Sequence, residues 1–398
     1  MPVPIERHSG ASIVGPTPIR YWGDEPPPNT DFIINRVRKA VHRAFVAAGS
    51  PPEGVTTSIL ALSGGAWDGA YGAGLFAGWT ACGTRPRFAL VTGVSTGALL
   101  APFVFLGPAY DARMRAAFTE LDPEAAPMLR VFTALFGALG LTDTRPLRRY
   151  INRFATVEML DAIAREYATG RNLLIGTTNL DAERPVTWNI GALATSGRPD
   201  RLQLFRDVLL ASASVPGAFP PVLIDVELED ARYAELHVDG GVTNSVFLLP
   251  KNFDAAVFTA FPFPHRIDAY VVQNNKLGPQ PKNIDLGLGA IVARAVGALI
   301  RGQNRGDIAR IFLAAQRDGL EFHLASVPDD FTPGAGVEVG FNTAYMRAVF
   351  ETGYAQGAAG HRWRTGPPGF DPPGAPPATK ATQCAAHRTA GVAPESAG

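Results

Sequence analysis

Phe88-Ala-Leu-Val-Thr-Gly-Val-Ser-Thr-Gly-Ala-Leu-Leu-Ala-Pro102 is the stretch that decides the fold. Its apolar start predicts a short buried strand, and its apolar end predicts the first turns of a helix. Between them, Gly93-Val-Ser95-Thr-Gly97 has the G-x-S-x-G pattern of a nucleophile elbow, although such a pentapeptide also occurs by chance. A serine there would stand at a helix N-terminus, where unpaired N–H groups favour negative charge. We therefore predict that Ser95 is a nucleophile.

The composition suits a large folded protein. The chain has 398 residues, of which 46% are apolar and 18% are charged, enough for one large α/β domain or two ordinary ones. Lys plus Arg and Asp plus Glu both number 36, so nothing indicates a nucleic-acid partner. Cys82 and Cys384 lie far apart, one in a predicted helix and one in a Pro/Gly-rich tail, so we expect neither a disulfide nor a metal site.

The order of predicted elements divides the chain into four regions. Strands alternate with helices over residues 55–330, which predicts an α/β fold with a mostly parallel sheet. The regions are an N-terminal arm and helix (1–54), a catalytic domain (55–330), a C-terminal helix packing on it (331–363) and a Pro/Gly/Ala-rich tail expected to be disordered (364–398). Near the end of the domain, we predict two separate helices at 286–300 and 308–318.

Two apolar segments need separate interpretation. The uncharged segment 89–107 is near the length of a membrane span, but it contains the elbow and Pro102, so we interpret it as core. Residues 127–141 are strongly apolar, and 145–154 predict a basic amphipathic helix. The second pair is either a core helix with a solvated helix, or a flap that makes peripheral contact with an anionic membrane through 127–154.

A glycine-rich loop follows the first predicted strand of the domain. Gly64, Gly65 and Ala66 have little or no side chain, so their N–H groups could reach a substrate oxygen and form an oxyanion hole. A phosphate-cradling loop is the alternative, but the later glycines Gly72, Gly74 and Gly78 fall too deep in the next helix for a dinucleotide fingerprint. Three glycines in one helix imply close packing against a neighbour, which we expect to be the elbow.

The proton acceptor for the serine is the harder assignment. The chain contains 7 histidines; His265 and His323 follow Ser95, but neither stands in a glycine-flanked loop at a strand end. We expect His237, inside a predicted strand, to be a packed residue. Asp239 ends that strand and precedes two glycines, which suits a side chain presented into a site, although Asp-Gly-Gly also forms plain turns.

Four blocks in order make the chain resemble the patatin-like phospholipases. They are Gly64-Gly-Ala-Trp-Asp-Gly69, Gly93-Val-Ser-Thr-Gly97, Ala211-Ser-Ala-Ser-Val-Pro216 and Asp239-Gly-Gly241, and Asn274-Asn-Lys276 fits bacterial members less specifically. The resemblance covers about residues 55–330. It implies a three-layer α/β/α fold with a mostly parallel central sheet, a catalytic Ser95–Asp239 dyad without histidine, an oxyanion hole at residues 64–66, and no cofactor.

The resemblance implies a serine acylhydrolase of the lipase/phospholipase type, which cleaves lipid esters through an acyl-enzyme. Two departures stand out: Ala66 replaces the third loop glycine, and Asp68 replaces the usual arginine, which bears on phospholipid preference more than on ester hydrolysis. The alternatives are a Ser-His-Asp esterase using His265 or His323, and a non-catalytic lipid- or partner-binding protein. Transfer of the acyl group to an acceptor other than water also stays open.

The N-terminal sequence leaves the cellular location open. Met1-Pro-Val-Pro-Ile-Glu-Arg-His8 has no apolar core, so the chain as written predicts no secretory signal and a cytoplasmic protein. Residues 13–22, however, look like a region that follows a signal. A start further upstream would make the protein exported or lipoprotein-like, as related bacterial proteins often are.

Overall fold

The computed structural model describes residues 1–13, 18–120, 144–229, 231–249, 261–281, 283–284, 286–371, 374 and 376–384. The strands are β1 (Arg20–Trp22), β2 (Val55–Leu62), β3 (Leu90–Val94), β4 (Asn172–Asn179), β5 (Arg184–Asn189), β6 (Val222–Leu228), β7 (Ala231–Asp239), β8 (His265–Lys276), β9 (Glu321–Val327), β10 (Arg362–Arg364) and β11 (Thr379–Ala381). The helices are α1 (Thr30–Ala47), α2 (Gly69–Cys82), α3 (Thr96–Leu106), α4 (Asp111–Thr119), α5 (Arg145–Phe154), α6 (Val157–Ala168), α7 (Ile190–Ala194), α8 (Arg201–Ser212), α9 (Leu288–Arg317) and α10 (Thr343–Ala358).

All of these strands belong to one sheet. Its order is β1-β5-β4-β3-β2-β8-β9-β10-β11, and β7 also pairs with β4 and with β6. The five central strands, from β4 to β9, are mutually parallel, whereas the strands that flank them pair antiparallel. Parallel neighbours need crossover connections, which the helices supply. The predicted α/β fold with a mostly parallel central sheet is therefore confirmed.

The alternation along β2 shows how the sheet is covered on both faces. Leu60 and Leu62 are buried in a large core with residues of α2, α3 and α10, whereas Ile59 and Ala61 are buried in a second core with residues of α9. Successive side chains of a strand point to opposite faces, so these two cores lie on opposite sides of the sheet. The three-layer α/β/α arrangement follows.

Two of the three glycines that the sequence analysis singled out in α2 pack against α10. A Cβ at Gly74 would lie 1.9 Å from the carbonyl oxygen of Phe350, and Gly78 is equally tight against the same helix. Of the three glycines in the prediction, Gly72 faces the elbow helix, through Leu100, and also Asn274. The expectation that all three pack against the elbow is therefore wrong: two of them allow the last helix to approach.

The predicted pair of helices after residue 286 is a single helix, α9. The polar stretch 301–307 suggested an interruption, but its side chains bind the neighbouring loop. The Asp307 carboxylate accepts the Ser245 N–H at 2.7 Å, and the Gln303 amide donates to the Thr243 carbonyl oxygen. These tertiary contacts outweigh the helix propensity lost at two glycines.

The beginning of the tail is ordered and cross-linked. β11 pairs antiparallel with β10 at the edge of the sheet, and Cys384 forms a disulfide with Cys82, with Cα atoms 4.8 Å apart. The expectations of no disulfide, and of disorder from residue 364, are therefore wrong for the described residues up to Cys384. The β10–β11 pair returns the chain to the end of α2, a contact that a sequence separation of 302 residues conceals.

Of the two apolar segments in the sequence, the structure describes the first fully and the second only in part. The segment 89–107 contains β3 and the buried helix α3, which confirms its interpretation as core. Among the described residues, no helix combines the length and hydropathy that a membrane crossing requires. Residues 127–143 of the predicted flap lie outside the described residues, and only its helix α5 can be placed.

Candidate active site

Ser95 occupies a strained turn between β3 and α3. Its φ of 56° and ψ of −126° are uncommon for a residue other than glycine. A Cβ at Gly93 would lie 2.4 Å from the carbonyl oxygen of Gly97, and a Cβ at Gly97 would lie 2.4 Å from that of Leu62. Glycine at both positions is thus required for the close passage of strand and helix. Strain of this kind is typical of functional sites.

The strand pairing brings Asp239 to the same edge of the sheet. β4 lies between β3 and β7, with Val94 opposite Gly176 and Asp239 opposite Thr177. Because Gly176 and Thr177 are neighbours on β4, Asp239 lies level with the residue that follows Val94. That residue is Ser95. A Cβ on Gly240 would lie 2.9 Å from a methyl of Val94.

The Asp239 carboxyl is buried, with a relative exposure of 4%. One oxygen, Oδ1, accepts the Gly241 N–H at 2.7 Å. Burial raises the pKa of Asp239 to about 6, and hydrogen bonding from the Ser95 side chain and the Gly241 N–H opposes the rise. The other oxygen, Oδ2, completes no hydrogen bond of ordinary geometry with the described residues. A loose serine–carboxylate contact of this kind is common for catalytic pairs without substrate.

Ser212 holds the turn in place. Its hydroxyl oxygen accepts the Ser95 N–H at 3.0 Å and donates to the Gly176 carbonyl oxygen at 2.7 Å. Two residues later, the Ser214 carbonyl oxygen accepts the Asp239 N–H at 2.9 Å. The block 211–216 thus connects the two candidate catalytic residues, a role that the sequence analysis did not assign. The sequence signal that could have indicated this role is the serine at the C-terminus of a helix whose last turns are otherwise apolar.

The glycine-rich loop lies against Ser95. A Cβ at Gly64 would be 3.0 Å from the Ser95 Cβ. The Gly64 N–H donates to the Ser245 carbonyl oxygen at 3.2 Å. The N–H groups of Gly65 and Ala66 donate to no group among the described residues. Of the three predicted oxyanion donors, these two are available to a substrate.

The end of β8 holds the glycine-rich loop in place. The sequence analysis did not assign this role to β8. Asn274 donates its backbone N–H to the Ser63 hydroxyl at 2.9 Å and its side-chain amide to the Ser63 carbonyl oxygen at 2.8 Å. Asn275 reaches the Gly64 carbonyl oxygen at 3.4 Å. Polar amides at the carboxyl end of a buried strand were the sequence signal.

Asp68 does not act as a surface charge. It is buried and accepts a 2.7 Å hydrogen bond from the Tyr345 hydroxyl of α10. Burial raises the pKa of Asp68 to about 7, whereas Tyr345 and the charge of Lys276 oppose the rise. The residue that stands in place of the usual arginine therefore anchors the loop to the last helix.

Of the three histidines considered above, His265 and His323 lie away from the elbow, and His237 is engaged within the sheet. His237 is fully buried, as expected, with its ring nitrogens 3.0 Å from Thr177 Oγ1 and 3.0 Å from Glu235 Oε2. His265 pairs with Val55 at the start of β8, so it stands at the edge of the sheet opposite the elbow. His323 lies within β9 and stacks on Tyr270, with ring centroids 4.5 Å apart.

An apolar cavity opens beside Ser95. Its empty volume is about 690 Å³, including the part open to solvent. Ser95, Thr96 and Ala66 are among the residues that line it. Its walls come from α3, α4, α5, the loop after α8, and α10, and include Leu99, Phe118, Leu147, Val215, Phe219 and Met346.

The glycine loop, the elbow and Asp239 all fall within one match to a known family. A model described as patatin-like phospholipase matches residues 60–250. Residues 60–250 form a patatin-like phospholipase domain. The patatin-like domain begins within β2 and ends in the loop after Asp239, so β8, α9 and α10 pack on it from outside the matched segment. A comparison with curated proteins found no match.

The similar solved structures are remote. VipD from Legionella pneumophila is 11% identical with a TM-score of 0.34, and the match covers 77% of this chain and 66% of VipD. Human GIVD cytosolic phospholipase A2 is 12% identical with a TM-score of 0.36, covering 72% of this chain and 52% of the human chain. The chain thus spans about half to two thirds of these proteins. TM-scores this low leave the likenesses without weight for fold or substrate.

Proposed function

We propose that the protein is a serine acylhydrolase that cleaves lipid esters, with Ser95 as nucleophile and Asp239 as its base. The observation that carries this is the buried Asp239 carboxyl, which the side chain of Ser95 in its strained elbow approaches as a hydrogen-bond donor. The patatin-like domain supports a lipid hydrolase as the class of enzyme.

The dyad would work by direct proton transfer. Asp239 takes the Ser95 proton while Oγ attacks the ester carbonyl, and the tetrahedral intermediate then expels the alcohol, which leaves with that proton. Water, activated by the same carboxylate, hydrolyses the acyl-enzyme. A carboxylate of ordinary pKa is a weak base for a hydroxyl, and the burial that raises the pKa of Asp239 to about 6 improves the match.

The oxyanion would be stabilised by the glycine loop. We assign the Gly65 and Ala66 N–H groups as its donors, because neither is engaged by a described residue. Gly64 would contribute its N–H only after release from the Ser245 carbonyl oxygen. Its lack of a side chain also leaves room for Ser95.

The acyl chain would occupy the apolar cavity. Burial of apolar surface contributes roughly 0.8 kcal/mol per methylene, so a cavity lined by leucine, phenylalanine and methionine favours a hydrocarbon chain over a polar acyl group. The cavity reaches Ser95 and Ala66, so a chain within it would carry its carbonyl to the dyad.

Labelling by a fluorophosphonate probe tests this proposal. We expect Ser95 to be labelled in the wild type, labelling to be lost in Ser95→Ala, and its rate to fall steeply in Asp239→Asn. His265→Ala and His323→Ala should retain the wild-type rate. Absence of labelling would favour the binding protein, and a rate lost with either histidine would favour a Ser-His-Asp esterase.

We also propose peripheral membrane contact through α5 and the segment before it. The inner face of α5 contributes Leu147 and Tyr150 to the cavity wall, whereas Arg149 and Arg153 are exposed. Arg148 differs, since it pairs with Asp207 at 2.6 Å. Arg149→Glu with Arg153→Glu should weaken binding to anionic liposomes, and unchanged binding would contradict this contact.

A further inference from the structure

A second cleft lies on the other face of the sheet from the acyl cavity. It is formed by the end of β8, the loop that follows it, and α9, and its empty volume is about 650 Å³ including the part open to solvent. α9 packs on the second core, whereas the acyl cavity is lined by helices of the first. The two cavities are therefore separate.

The cleft concentrates positive charge. Four of its lining residues are cationic: Lys276, Arg294, Arg301 and Arg305. The three arginines stand at positions i, i+7 and i+11 of α9, which places them on one helix face. Among the described residues, no aspartate or glutamate lines the cleft. In a chain with equal numbers of acidic and basic residues, this is a strong local imbalance.

Two of these cations donate hydrogen bonds to neutral carbonyl oxygens. Arg294 donates to the Gln280 carbonyl oxygen at 2.6 Å, and Lys276 donates to the Phe331 carbonyl oxygen at 2.6 Å. Arg301 and Arg305 make no ion pair with any described residue. Burial and the charges of Arg294 and Arg305 together lower the pKa of Arg301. Such repulsion would be relieved by a bound anion.

Two buried amides complete the lining. Gln273 is 3% exposed and Asn304 is 4% exposed, and both side chains have a carbonyl oxygen without a partner among the described residues. Buried polar groups in folded proteins are nearly always hydrogen-bonded. Both unpartnered atoms are acceptors, so each can receive a hydrogen bond from a hydroxyl, a protonated phosphate oxygen or a water. Unsatisfied amides in a cationic cleft indicate a polar ligand.

We propose that this cleft is a binding site for a phosphate-bearing ligand. The guanidinium fork matches phosphate oxygens in pairs, and several arginines on one face suit a dianion. Asp329 lies close by, but its carboxylate accepts the Gly278 N–H at 2.9 Å. The phosphate could belong to a lipid headgroup or to a soluble compound. The proposal rests on the cleft alone and not on the chemistry of Ser95.

Titration calorimetry with inorganic phosphate tests the site in the full-length protein. We expect saturable binding by the wild type that is equal in Ser95→Ala and is weakened about tenfold or more in Arg301→Gln/Arg305→Gln. Lys39→Gln/Arg347→Gln is the matched control, since it removes two exposed cations elsewhere. It should bind phosphate as the wild type does.

Flotation with vesicles distinguishes the source of the phosphate. The Ser95→Ala/Arg149→Glu/Arg153→Glu protein, which lacks the proposed α5 contact, is mixed with phosphatidylcholine vesicles, with or without phosphatidic acid. Phosphatidic-acid binding that is lost with Arg301→Gln/Arg305→Gln and competed by inorganic phosphate supports a lipid headgroup. If inorganic phosphate binds in calorimetry but vesicle binding does not depend on these two arginines, the result supports a soluble phosphate compound.

Two results would overturn the site. One is that the wild type binds neither inorganic phosphate nor phosphatidic-acid vesicles, and the other is equal binding by the arginine variant and its control. If the arginine variant does not fold, hydrogen exchange of the wild type replaces it. Phosphate should then protect backbone amides of 276–280 and 298–308, and no protection would overturn the proposal.

Discussion

Replacing Asp239 with asparagine should abolish esterase activity and stabilise the fold at the same time. The carboxylate is buried with a pKa raised to about 6 from an ordinary 3.8. One pKa unit corresponds to about 1.4 kcal/mol, so ionisation of Asp239 destabilises the folded state by about 3 kcal/mol relative to the unfolded chain. Asparagine keeps an oxygen for the Gly241 N–H and carries no charge.

The gain should depend on pH in a defined direction. The unfolded chain ionises this residue near pH 4 and the folded protein only near pH 6, so the destabilisation grows as pH rises through this window and is complete above it. Urea unfolding at pH 7.5 should therefore show Asp239→Asn to be more stable than wild type by up to about 3 kcal/mol. Near pH 4 the difference should disappear.

Activity provides the second readout. In the wild type, kcat/KM for a short-chain ester should fall about tenfold for each pH unit below about 6, because the base becomes protonated. Asp225→Asn is the control, since this carboxylate is exposed on β6, and it should leave activity and stability unchanged. An Asp239→Asn protein that hydrolyses esters at the wild-type rate, or gains no stability at pH 7.5, would refute the reasoning.

Three further perturbations follow from the site and the disulfide. Ser212→Ala removes the hydrogen-bond partner of the Ser95 N–H and of the Gly176 carbonyl oxygen, so the free energy of unfolding should fall by about 1–3 kcal/mol. Because Ser95 would be less well positioned, kcat should fall while KM stays near the wild-type value. Cys384→Ser should lower unfolding free energy by about 2–4 kcal/mol in non-reducing urea titrations. Leu147→Trp fills the cavity and should shift preference from long-chain to short-chain p-nitrophenyl esters by about tenfold.

Each of these has a matched comparison. Ser214→Ala removes a hydroxyl that donates only to the Leu210 carbonyl oxygen, so kcat should stay near the wild-type value; an equal loss in both serine variants would contradict positioning by Ser212. A reducing agent should destabilise the wild type but not Cys384→Ser. Val157→Trp, on an exposed position, should leave chain-length preference unchanged, and a similar shift there would count against the cavity.

Local patterns predicted the parts of the fold that depend on local order. The strand, turn and helix around Ser95 follow from hydrophobic runs and glycine placement. The position of Asp239 at a strand end follows from the two glycines after it, whereas its assignment as the base rests on the family resemblance. The parallel centre of the sheet follows from alternating strands and helices. Each strand, turn and helix among these features is encoded within a window of about fifteen residues, where periodicity is informative.

The missed features depend on contacts between distant segments. α9 continues through its polar stretch because Asp307 and Gln303 bind the loop after β7. Ser212 acts on Ser95 only because β4 and α8 place it there. The engagement of Gly64 by Ser245 likewise requires the folded arrangement. No local pattern specifies such pairs, so composition alone gave the wrong result for the tail and the cysteines.

The disulfide gives the molecule a covalent ring. Joining Cys82 to Cys384 encloses both Ser95 and Asp239, while the glycine loop lies on the stem outside. A protease that cuts the ring once, at any peptide bond, produces no separate fragment, because the two pieces stay linked through sulfur. Under non-reducing conditions the nicked protein would migrate as one species with nucleophile and base still tethered. Only reduction would release the halves.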